Sequence, residues 1–399
     1  MKRIALIVPT LSNGGAEKVA ADLSIYFYGK GYKVFFFLTH NSSLSDYLYK
    51  GEINYVNICS EQNREWRWDK KLYFLLYDII NLRKEKRKNQ IDISISFMPI
   101  CNFFNILSKC GDRVFVSLHN VVSERKEMRG TVGCSKFTFM VLYQLADRII
   151  FVSQYCQNDW RVNYGDFLKK TKTIYNPINR LRKDKIEDLN VRNFNKNNPI
   201  IISVARLDGV KQPWHLIRVF AEIVRKYSNA QLYLLGDGIL KNTLREMCEI
   251  LGISEQVHFQ GFVNNVEEYL QQADVFVLTS ASEAFGCAMV EAMRNGVPIV
   301  ANDCPGGVRE IMQVHSDNHY EKCNIETKYG YITPRLDGKK YRANESLSCA
   351  EMCLANAIEC ILKDEELRNK MQEQCQKRAQ DFELRKIGAM WEKELNMWG

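Results

Sequence analysis

Residues 282–293 read Ser282-Glu283-Ala284-Phe285-Gly286-Cys287-Ala288-Met289-Val290-Glu291-Ala292-Met293 and lie between two short apolar runs, 274–279 and 298–301. Both runs have the composition of buried parallel strands, so the order predicts a strand, a short loop, a helix and another strand. The loop then lies at the carboxyl end of a sheet strand, where open α/β sheets bind their ligands. This stretch predicts an α/β fold.

Two acids frame the predicted loop and helix, because Glu283 precedes the helix and Glu291 lies two turns inside it. The N–H groups of Phe285, Gly286 and Cys287 fall at the helix start, where backbone donors have no partner within the helix. Such donors, with the positive end of the helix dipole, favour a phosphate. A well-capped helix start that binds no ligand is the alternative.

The second half of the chain repeats this arrangement. An apolar run at 199–204 is followed by a loop that contains Arg206 and Lys211, and then by a helical pattern. A forked guanidinium and a mobile ammonium in one strand-to-helix loop are suited to a diphosphate. The next strand-like runs end at Gly236 and in the loop that contains Val263. Successive strand ends thus carry a glycine, a cation or an acid. This repetition favours a ligand site over residues that serve only the structure.

The first half also has a strand-and-helix pattern. A strand-like run at 4–9 precedes Gly14 and Gly15, which predict a turn that lets a ligand approach the backbone. His119 follows the strand-like run 113–118, again where a ligand crevice forms. The glycines are not a G-x-G-x-x-G dinucleotide fingerprint. A plain turn and a structural histidine stay open as alternatives.

The composition is that of a globular protein. The chain has 399 residues, of which 46% are hydrophobic and 26% charged, and this length fits two domains of about 150–200 residues each. No apolar run approaches the roughly 18 residues that a membrane-spanning helix needs. The 13 cysteines include no C-x-x-C pair, which argues against a disulfide framework and a zinc site. We therefore expect the protein to be in a reducing cytoplasm and to bind no metal.

Basic residues are concentrated in the first half of the chain. Within residues 64–88, lysines and arginines alternate with Trp66, Trp68, Tyr73 and Phe74. Interfacial helices use this combination on anionic lipid, so we expect contact with the inner membrane surface. The alternative is a surface helix whose aromatic side chains pack on the sheet. No nucleic-acid-binding motif accompanies the basic residues, and we expect no nucleic acid partner.

The motifs resemble, in order and spacing, the retaining glycosyltransferases of family four, also called group 1 glycosyltransferases, which have the GT-B fold. The resemblance covers nearly the whole chain, and its strongest part is Glu283 and Glu291 together with Arg206 and Lys211. One departure is Gln212, which stands where the family usually has glycine after the lysine. The other matching segments are Gly14-Gly15-Ala16-Glu17, His119, Asn176-Pro177, Gly236-Asp237-Gly238, Gly261-Phe262, 303–310 and 329–332.

The resemblance implies a role for each candidate residue. Arg206 and Lys211 would hold the diphosphate of a nucleotide sugar and stabilise charge on the leaving group without a metal. Glu291 would accept hydrogen bonds from the ribose hydroxyls, and Glu283 would bind hydroxyls of the donor sugar. His119 would contact the sugar or the departing anion. The remaining donor- or nucleotide-binding positions are Gly14, Gly15, Gly236, Val263, Phe285, Gly286 and Cys287.

The implied fold has two Rossmann-like domains facing across a cleft, an acceptor-side domain at 1–177 and a donor domain at 199–375. Residues 178–198 are rich in Asn, Lys, Arg and Asp and are expected to be a linker. An aromatic-rich helix within 376–399 is expected to cross back to the first domain. Residues 313–328 lack periodicity and are expected to be an inserted surface loop.

The implied activity is retaining transfer of a hexose or N-acetylhexosamine from a nucleotide-diphosphate sugar, with UDP favoured and no cofactor. The acceptor would be a lipid-linked saccharide or a growing surface polysaccharide, such as capsule or lipopolysaccharide. The protein would work in the cytoplasm, peripherally at the inner face of the membrane. A nucleotide-sugar epimerase, which needs no acceptor, and a non-enzymatic binding protein are the alternatives.

Overall fold

The computed structural model describes residues 1–12, 14–40, 47–56, 68–124, 140–166, 169–179, 198–263, 265–315 and 323–397, without the side chains of 68, 69 and 71. The chain divides into two compact units, Met1–Asn179 with Phe382–Gly399, and Arg180–Asp381. Most of the predicted linker, from 180 to 197, lies outside the described residues.

The first unit contains a sheet in which all described neighbouring strands are parallel. Its inner strands are apolar and buried along their length, which is typical of sheets covered on both faces. The strands are β1 Arg3–Val8, β2 Lys33–Leu38, β3 Glu52–Tyr55, β4 Ile93–Phe97, β5 Arg113–Leu118, β6 Arg148–Phe151 and β7 Thr171–Thr173. Their order is β3-β2-β1-β4-β5-β6-β7.

The helices of the first unit pack their apolar faces on this sheet. They are α1 Gly15–Gly29, α2 Trp68–Lys88, α3 Pro99–Leu107 and α4 Gln154–Tyr164, with a short 3₁₀ helix at Leu142–Leu145. Side chains from α1 join β1, β2 and β4 in one buried cluster, and α3 lies in a second cluster on the other side of the same strands. The alternation of strand and helix therefore produces the predicted layered α/β architecture.

The second unit has a similar sheet. Its strands are β8 Ile200–Val204, β9 Gln231–Leu235, β10 Val257–Gly261, β11 Val275–Leu278, β12 Ile299–Asn302, β13 Ile325–Thr327 and β14 Gly330–Thr333. Their order is β10-β9-β8-β11-β12-β14-β13. All described neighbours are parallel except β13, which runs antiparallel to β14. Part of the stretch expected to be an irregular loop at 313–328 is therefore the edge strand β13.

The helices of the second unit are α5 Pro213–Lys226, α6 Lys241–Leu251, α7 Val266–Leu270, α8 Cys287–Arg294, α9 Val308–Ile311, α10 Cys349–Lys363 and α11 Glu365–Ala379, followed by a 3₁₀ turn at Gln380–Phe382. The chain passes from β8 outward to β9 and β10, then returns to the other side of β8 as β11. The neighbouring ends of β8 and β11 are thus a topological switch point, which is the ligand-binding position of doubly wound sheets.

The last helix, α12 Leu384–Asn396, belongs to the first unit. Its Trp391 is buried in the cluster formed by α1, β1 and β2, and its Glu392 accepts a hydrogen bond of 2.9 Å from the Tyr26 hydroxyl. A Cβ on Gly388 would lie 2.4 Å from the Tyr26 ring, so the close approach of α12 to α1 requires glycine there. The predicted return helix is therefore present.

The chain rejoins the first unit at Phe382 instead of at the predicted 376. The reason is that α11 packs within the second unit. Its Arg378 donates from Nε and Nη2 to the carbonyls of Ile311 and Glu310, at 3.0 and 2.9 Å. The side chain of Gln376 lies against Gly296, which follows α8.

A buried polar cluster joins α5 to α10. The Glu351 carboxylate contacts Nδ1 of His215 at 2.9 Å and accepts from Nε of Arg218 at 2.9 Å. Glu351 also forms a capping box with Ser348 at the start of α10. Burial raises the pKa of Glu351, but hydrogen bonds from His215 and Arg218 outweigh burial and lower that pKa to about 2. The cluster anchors α5, whose first residue follows the Lys211 loop.

Candidate functional site

The loop between β8 and α5 carries the two predicted cations. Asp208 shapes this loop, because its Oδ1 accepts the N–H groups of Val210 and Lys211 at 3.0 Å each. Its other carboxylate oxygen lies 2.8 Å from Nη2 of Arg206, whose side chain is 62% exposed. The loop therefore presents the Arg206 guanidinium to solvent at the end of a central strand. Asp208 was not among the predicted site residues, although an acid two residues after the arginine is visible in the sequence.

Gln212 ends this loop in a left-handed conformation, with φ 49° and ψ 47°. Glycine adopts this conformation without steric cost, which explains why the family usually has glycine here. The Gln212 side chain is buried and lies close to Gly338. Pro213 follows at the first helical position, where its fixed φ suits the start of α5. Gln212 thus adopts the left-handed conformation that glycine favours, and the departure from the family pattern does not prevent this loop geometry.

The neighbouring loop, between β11 and α8, carries Glu283. Its backbone is held on both sides, because Glu283 N–H donates to Pro305 O and Gly307 N–H donates to Glu283 O, both at 2.9 Å. A Cβ on Gly306 would lie 1.8 Å from the Glu283 carbonyl oxygen, so this contact requires glycine. The loop after β12 therefore fixes the position of Glu283.

The structure brings Lys211 and Glu283 together as an ion pair between Nζ and Oε2. Both side chains are largely buried, at 20% and 16% exposure. The Ser280 hydroxyl donates a second hydrogen bond to the same carboxylate oxygen, at 3.3 Å. The two residues were predicted to bind different parts of a ligand, and their contact with each other was not predicted.

The predicted anion site lies at the start of α8. Gly286 is the N-cap residue, with φ 103°, a conformation that favours glycine, and as a glycine it provides no side-chain cap. Phe285 is buried, Cys287 is the first helical residue, and the half-buried Glu291 lies one turn further along. Glu283 and Glu291 thus flank the first turn of α8.

Two further predicted positions lie at the ends of β9 and β10. Gly236 N–H donates to Gly261 O at 2.7 Å, and a Cβ on Gly236 would lie 2.0 Å from the Ala205 carbonyl oxygen. Glycine at 236 is therefore explained by packing against the residue before Arg206. Val263 is half-buried and follows the strand end. Contact of either residue with a nucleotide stays a prediction.

In the first unit, Gly14 caps α1 at its amino end. A Cβ on Gly14 would lie 1.9 Å from Oε2 of Glu17, whereas the Cβ position of Gly15 has no described atom within 4 Å. Glu17 is buried, and burial raises the pKa of its carboxyl. The Glu17 carboxylate is the end of a flexible side chain and can move aside, so this contact does not by itself require glycine at position 14; Gly15 leaves open space beside the helix start. The acid in the first helical turn is the signal that points to Glu17.

His119 lies directly after β5. Its Nε2 is 3.0 Å from the Ser117 hydroxyl, and its ring packs against Phe97 at a centroid distance of 5.6 Å. Burial lowers the pKa of His119 below its ordinary value. The side chain is therefore a neutral hydrogen-bonding group near neutral pH and not a cation.

Helix α2 covers the described part of the predicted membrane segment 64–88; Trp66 and the Trp68 side chain lie outside the described residues. Leu72, Tyr73, Leu76, Tyr77 and Ile80 are each between 48% and 65% exposed. Their spacing places them on one helix face. Among the residues that the structure describes, no helix has the length and apolar character needed to cross a membrane.

Two family models match consecutive parts of the chain. The model for Glycosyltransferase Family 4 matches residues 13–182, and the model for Glycosyl transferases group 1 matches residues 184–344. An uncharacterized glycosyltransferase of Methanocaldococcus jannaschii is 27% identical over 367 residues, which cover 86% of this chain and 88% of the relative.

A Campylobacter jejuni relative is 24% identical over 394 residues, covering 98% of this chain and 97% of its own. Its name is GalNAc-α-(1→4)-GalNAc-α-(1→3)-diNAcBac-PP-undecaprenol α-1,4-N-acetyl-D-galactosaminyltransferase. Among solved structures, the HepE protein of Anabaena in complex with UDP and glucose superposes with a TM-score of 0.72 at 18% identity, and all of both chains is covered. The likeness to solved structures confirms the expected GT-B fold with two Rossmann-like units.

Proposed function

The chain belongs to the family four, or group 1, glycosyltransferases, and we propose that it transfers a hexose or N-acetylhexosamine from a UDP-sugar with retention of configuration. The observation that carries this proposal is the adjacency of two loops at the switch point of the second sheet. The loop after β8 supplies Arg206 and Lys211, and the loop after β11 supplies Glu283. Cations and an acid at neighbouring strand ends suit a diphosphate linked to a sugar.

In this proposal Arg206 and Lys211 bind the diphosphate and stabilise the negative charge that grows on it as the bond to the sugar breaks. The first-turn amides of α8, at Phe285 to Cys287, add donors for the same anion. Fixed cations supply the charge that a divalent metal supplies in other transferases, so transfer proceeds without a metal. The new bond forms on the face that the diphosphate leaves, which gives retention, and the proton of the acceptor hydroxyl passes to the departing diphosphate.

The two acids have separate roles in the proposal. Glu291, on the second turn of α8, accepts hydrogen bonds from the ribose hydroxyls. Glu283 binds hydroxyls of the donor sugar, and to do so its carboxylate shares Lys211 with the incoming ligand. The roles proposed in the first unit are a neutral hydrogen-bonding group for the sugar or the diphosphate at His119 and a phosphate-binding turn at Gly14–Gly15.

The proposed acceptor is a lipid-linked saccharide or a growing surface polysaccharide, such as capsule or lipopolysaccharide. The C. jejuni relative supports this choice, since its name includes a saccharide linked to diphospho-undecaprenol. UDP as the nucleotide is supported by the structural likeness to HepE, which was solved with UDP bound.

We also propose that the chain works in the cytoplasm, peripherally at the inner face of the membrane, and contacts anionic lipid through α2. The exposed apolar face of α2 is followed by Arg83, Lys84, Arg87 and Lys88, all exposed at its carboxyl end. Apolar and aromatic side chains beside basic ones bind at an anionic lipid surface. Lys86, which lies between these basic residues in the sequence, is buried in an ion pair with Asp112 at 2.8 Å and takes no part in the surface.

The experiment that tests the activity measures release of UDP from UDP-glucose, UDP-galactose, UDP-N-acetylglucosamine and UDP-N-acetylgalactosamine, with a lipid-linked saccharide as acceptor. The expected result is acceptor-dependent release that persists in excess EDTA, with an α-linked product. Conversion of a UDP-sugar without acceptor would favour the epimerase alternative. Equal activity of Glu291→Ala and the parent would overturn the assigned site.

A further inference from the structure

Two successive hydroxyl residues follow β11, and each contacts one member of the Lys211–Glu283 pair. The Thr279 hydroxyl donates to the Lys211 carbonyl oxygen at 2.8 Å. The Ser280 hydroxyl donates to Oε2 of Glu283 at 3.3 Å. Both residues are buried, at 4% and 1% exposure, so neither side chain is available for direct contact with a ligand.

The backbone of the same segment reinforces this link. Ala281 N–H donates to the Val210 carbonyl oxygen at 2.7 Å, and Val210 immediately precedes Lys211. Residues 279–281 therefore connect the cation loop after β8 to the acid loop that they begin. Because the contacts to Lys211 and Glu283 come from two different side chains, a single substitution can remove one contact and leave the other in place.

A third polar residue lies behind Ser280. Asn302, at the end of β12, is fully buried, and its Nδ2 donates to the Ser280 carbonyl oxygen at 2.9 Å. Its Oδ1 is buried without a partner among the described residues. A buried amide with one unsatisfied oxygen costs stability, and an apolar residue at this position would avoid that cost. The hydrogen bond from Asn302 holds the Ser280 backbone in place, and Ser280 in turn holds the carboxylate of Glu283.

We propose that Thr279 and Ser280 are positioning residues that set the two halves of the donor site separately, Thr279 for the diphosphate-binding loop and Ser280 for the sugar-binding carboxylate. This inference rests on the proposed function. Thr279 fixes the backbone from which the Lys211 ammonium extends. Ser280, supported by Asn302, orients the Glu283 carboxylate toward the donor sugar by donating to the oxygen that also accepts from Lys211.

The proposal predicts that substitutions of Thr279 and Ser280 have different effects on binding of the nucleotide and on steps that involve the sugar. UDP lacks the sugar, so it senses the Lys211 loop and not the orientation of Glu283. Loss of the Thr279 hydroxyl therefore weakens binding of UDP itself. Loss of the Ser280 hydroxyl leaves UDP binding unchanged and weakens only steps that involve the sugar.

The test compares Thr279→Val, Thr279→Ser, Ser280→Ala and Thr333→Val with the parent. Thr333→Val is the matched control, since the Thr333 hydroxyl is buried at the end of β14, two strands from β11, without a partner among the described residues. Calorimetry measures the Kd of UDP, steady-state kinetics measure kcat/KM for the best of the four UDP-sugars, and thermal unfolding checks that each variant is folded.

We expect Thr279→Val to weaken UDP binding about tenfold, and Thr279→Ser to restore it because the hydroxyl returns. We expect Ser280→Ala to keep the parent Kd for UDP and to lower kcat/KM about tenfold. If folded Thr279→Val and Ser280→Ala both match Thr333→Val, the positioning proposal is wrong while the proposed function stands. A parent protein that binds neither UDP nor any of the UDP-sugars overturns the proposed function, and this proposal with it.

Discussion

The Lys211 ammonium is paired with the Glu283 carboxylate, although the two residues are 72 positions apart in the sequence. Parallel strand order explains the contact, because β8 and β11 are hydrogen-bonded neighbours and their carboxyl ends meet at one edge of the sheet. A diphosphate that binds Lys211 must share this ammonium with Glu283. The loop proposed to bind the diphosphate and the carboxylate proposed to bind the sugar therefore meet in this ion pair.

Lys211→Ala removes the charge from the proposed diphosphate site and leaves a largely buried carboxylate without its ion-pair partner. We expect kcat/KM for the UDP-sugar to fall at least about 100-fold, as for the loss of a preorganised charge-stabilising donor. Lys211→Arg keeps the charge and should retain more activity than alanine. An alanine variant with the kcat/KM of the parent would contradict the role given to Lys211.

Arg206→Ala should weaken ligand binding and have little effect on stability. Because the Arg206 side chain is 62% exposed and its ion pair with Asp208 lies near the surface, its loss should change the free energy of unfolding by less than about 1 kcal/mol. Affinity for UDP, measured by calorimetry, should fall at least about tenfold. The control is Arg225→Ala, an exposed arginine on α5 paired with Glu222, which should bind UDP like the parent.

Gly306→Ala places a methyl group where the Glu283 carbonyl oxygen lies, at 1.8 Å from the new Cβ. Backbone atoms would have to move, and the Gly306 φ of 130° adds strain for alanine. We expect a loss of about 2 kcal/mol or more in the free energy of unfolding, together with loss of activity. Gly29→Ala, with no described atom within 4 Å of the new Cβ in α1, should unfold in urea at the parent midpoint or above it.

Leu76→Glu combined with Ile80→Glu places two charges on the exposed apolar face of α2. We expect the variant to lose binding to vesicles of phosphatidylglycerol in a sedimentation assay and to keep its thermal stability, since both side chains are exposed. Ile250→Glu is the matched control, because Ile250 is 70% exposed on α6 of the other unit. Parent protein that sediments equally with neutral and anionic vesicles would contradict the electrostatic part of this proposal.

Glu351→Gln tests the buried cluster between α5 and α10. The pKa of Glu351 is lowered from 4.5 to about 2, so its carboxylate stabilises the folded state above pH 4.5 and this contribution is lost as pH falls toward 2. We expect the variant to be less stable than the parent by about 3 kcal/mol at pH 7. The difference should shrink at pH 3 in urea titrations. The control is Glu359→Gln on the same helix, which removes a surface ion pair with Lys226. Its free energy of unfolding should differ little from that of the parent at either pH.

The sheet and its loops were predictable because buried parallel strands are apolar runs, and their ends are marked by glycine, Arg206 or Glu283. Contacts between loops were not predictable to the same degree. The Lys211–Glu283 pair depends on β8 and β11 being neighbours, which a sequence pattern does not state. β13 was missed because Ile325–Thr327 is too short to show alternation and has only one neighbour, β14.

Helix α12 has a consequence for how the chain is made. Its Ile387, Trp391 and Leu395 lie in the same buried cluster as β1, β2 and α1, yet α12 follows the whole second unit in sequence. During synthesis the first unit therefore leaves the ribosome before the helix that covers this part of its core. The first unit can therefore complete this part of its core only after the whole second unit has been synthesised.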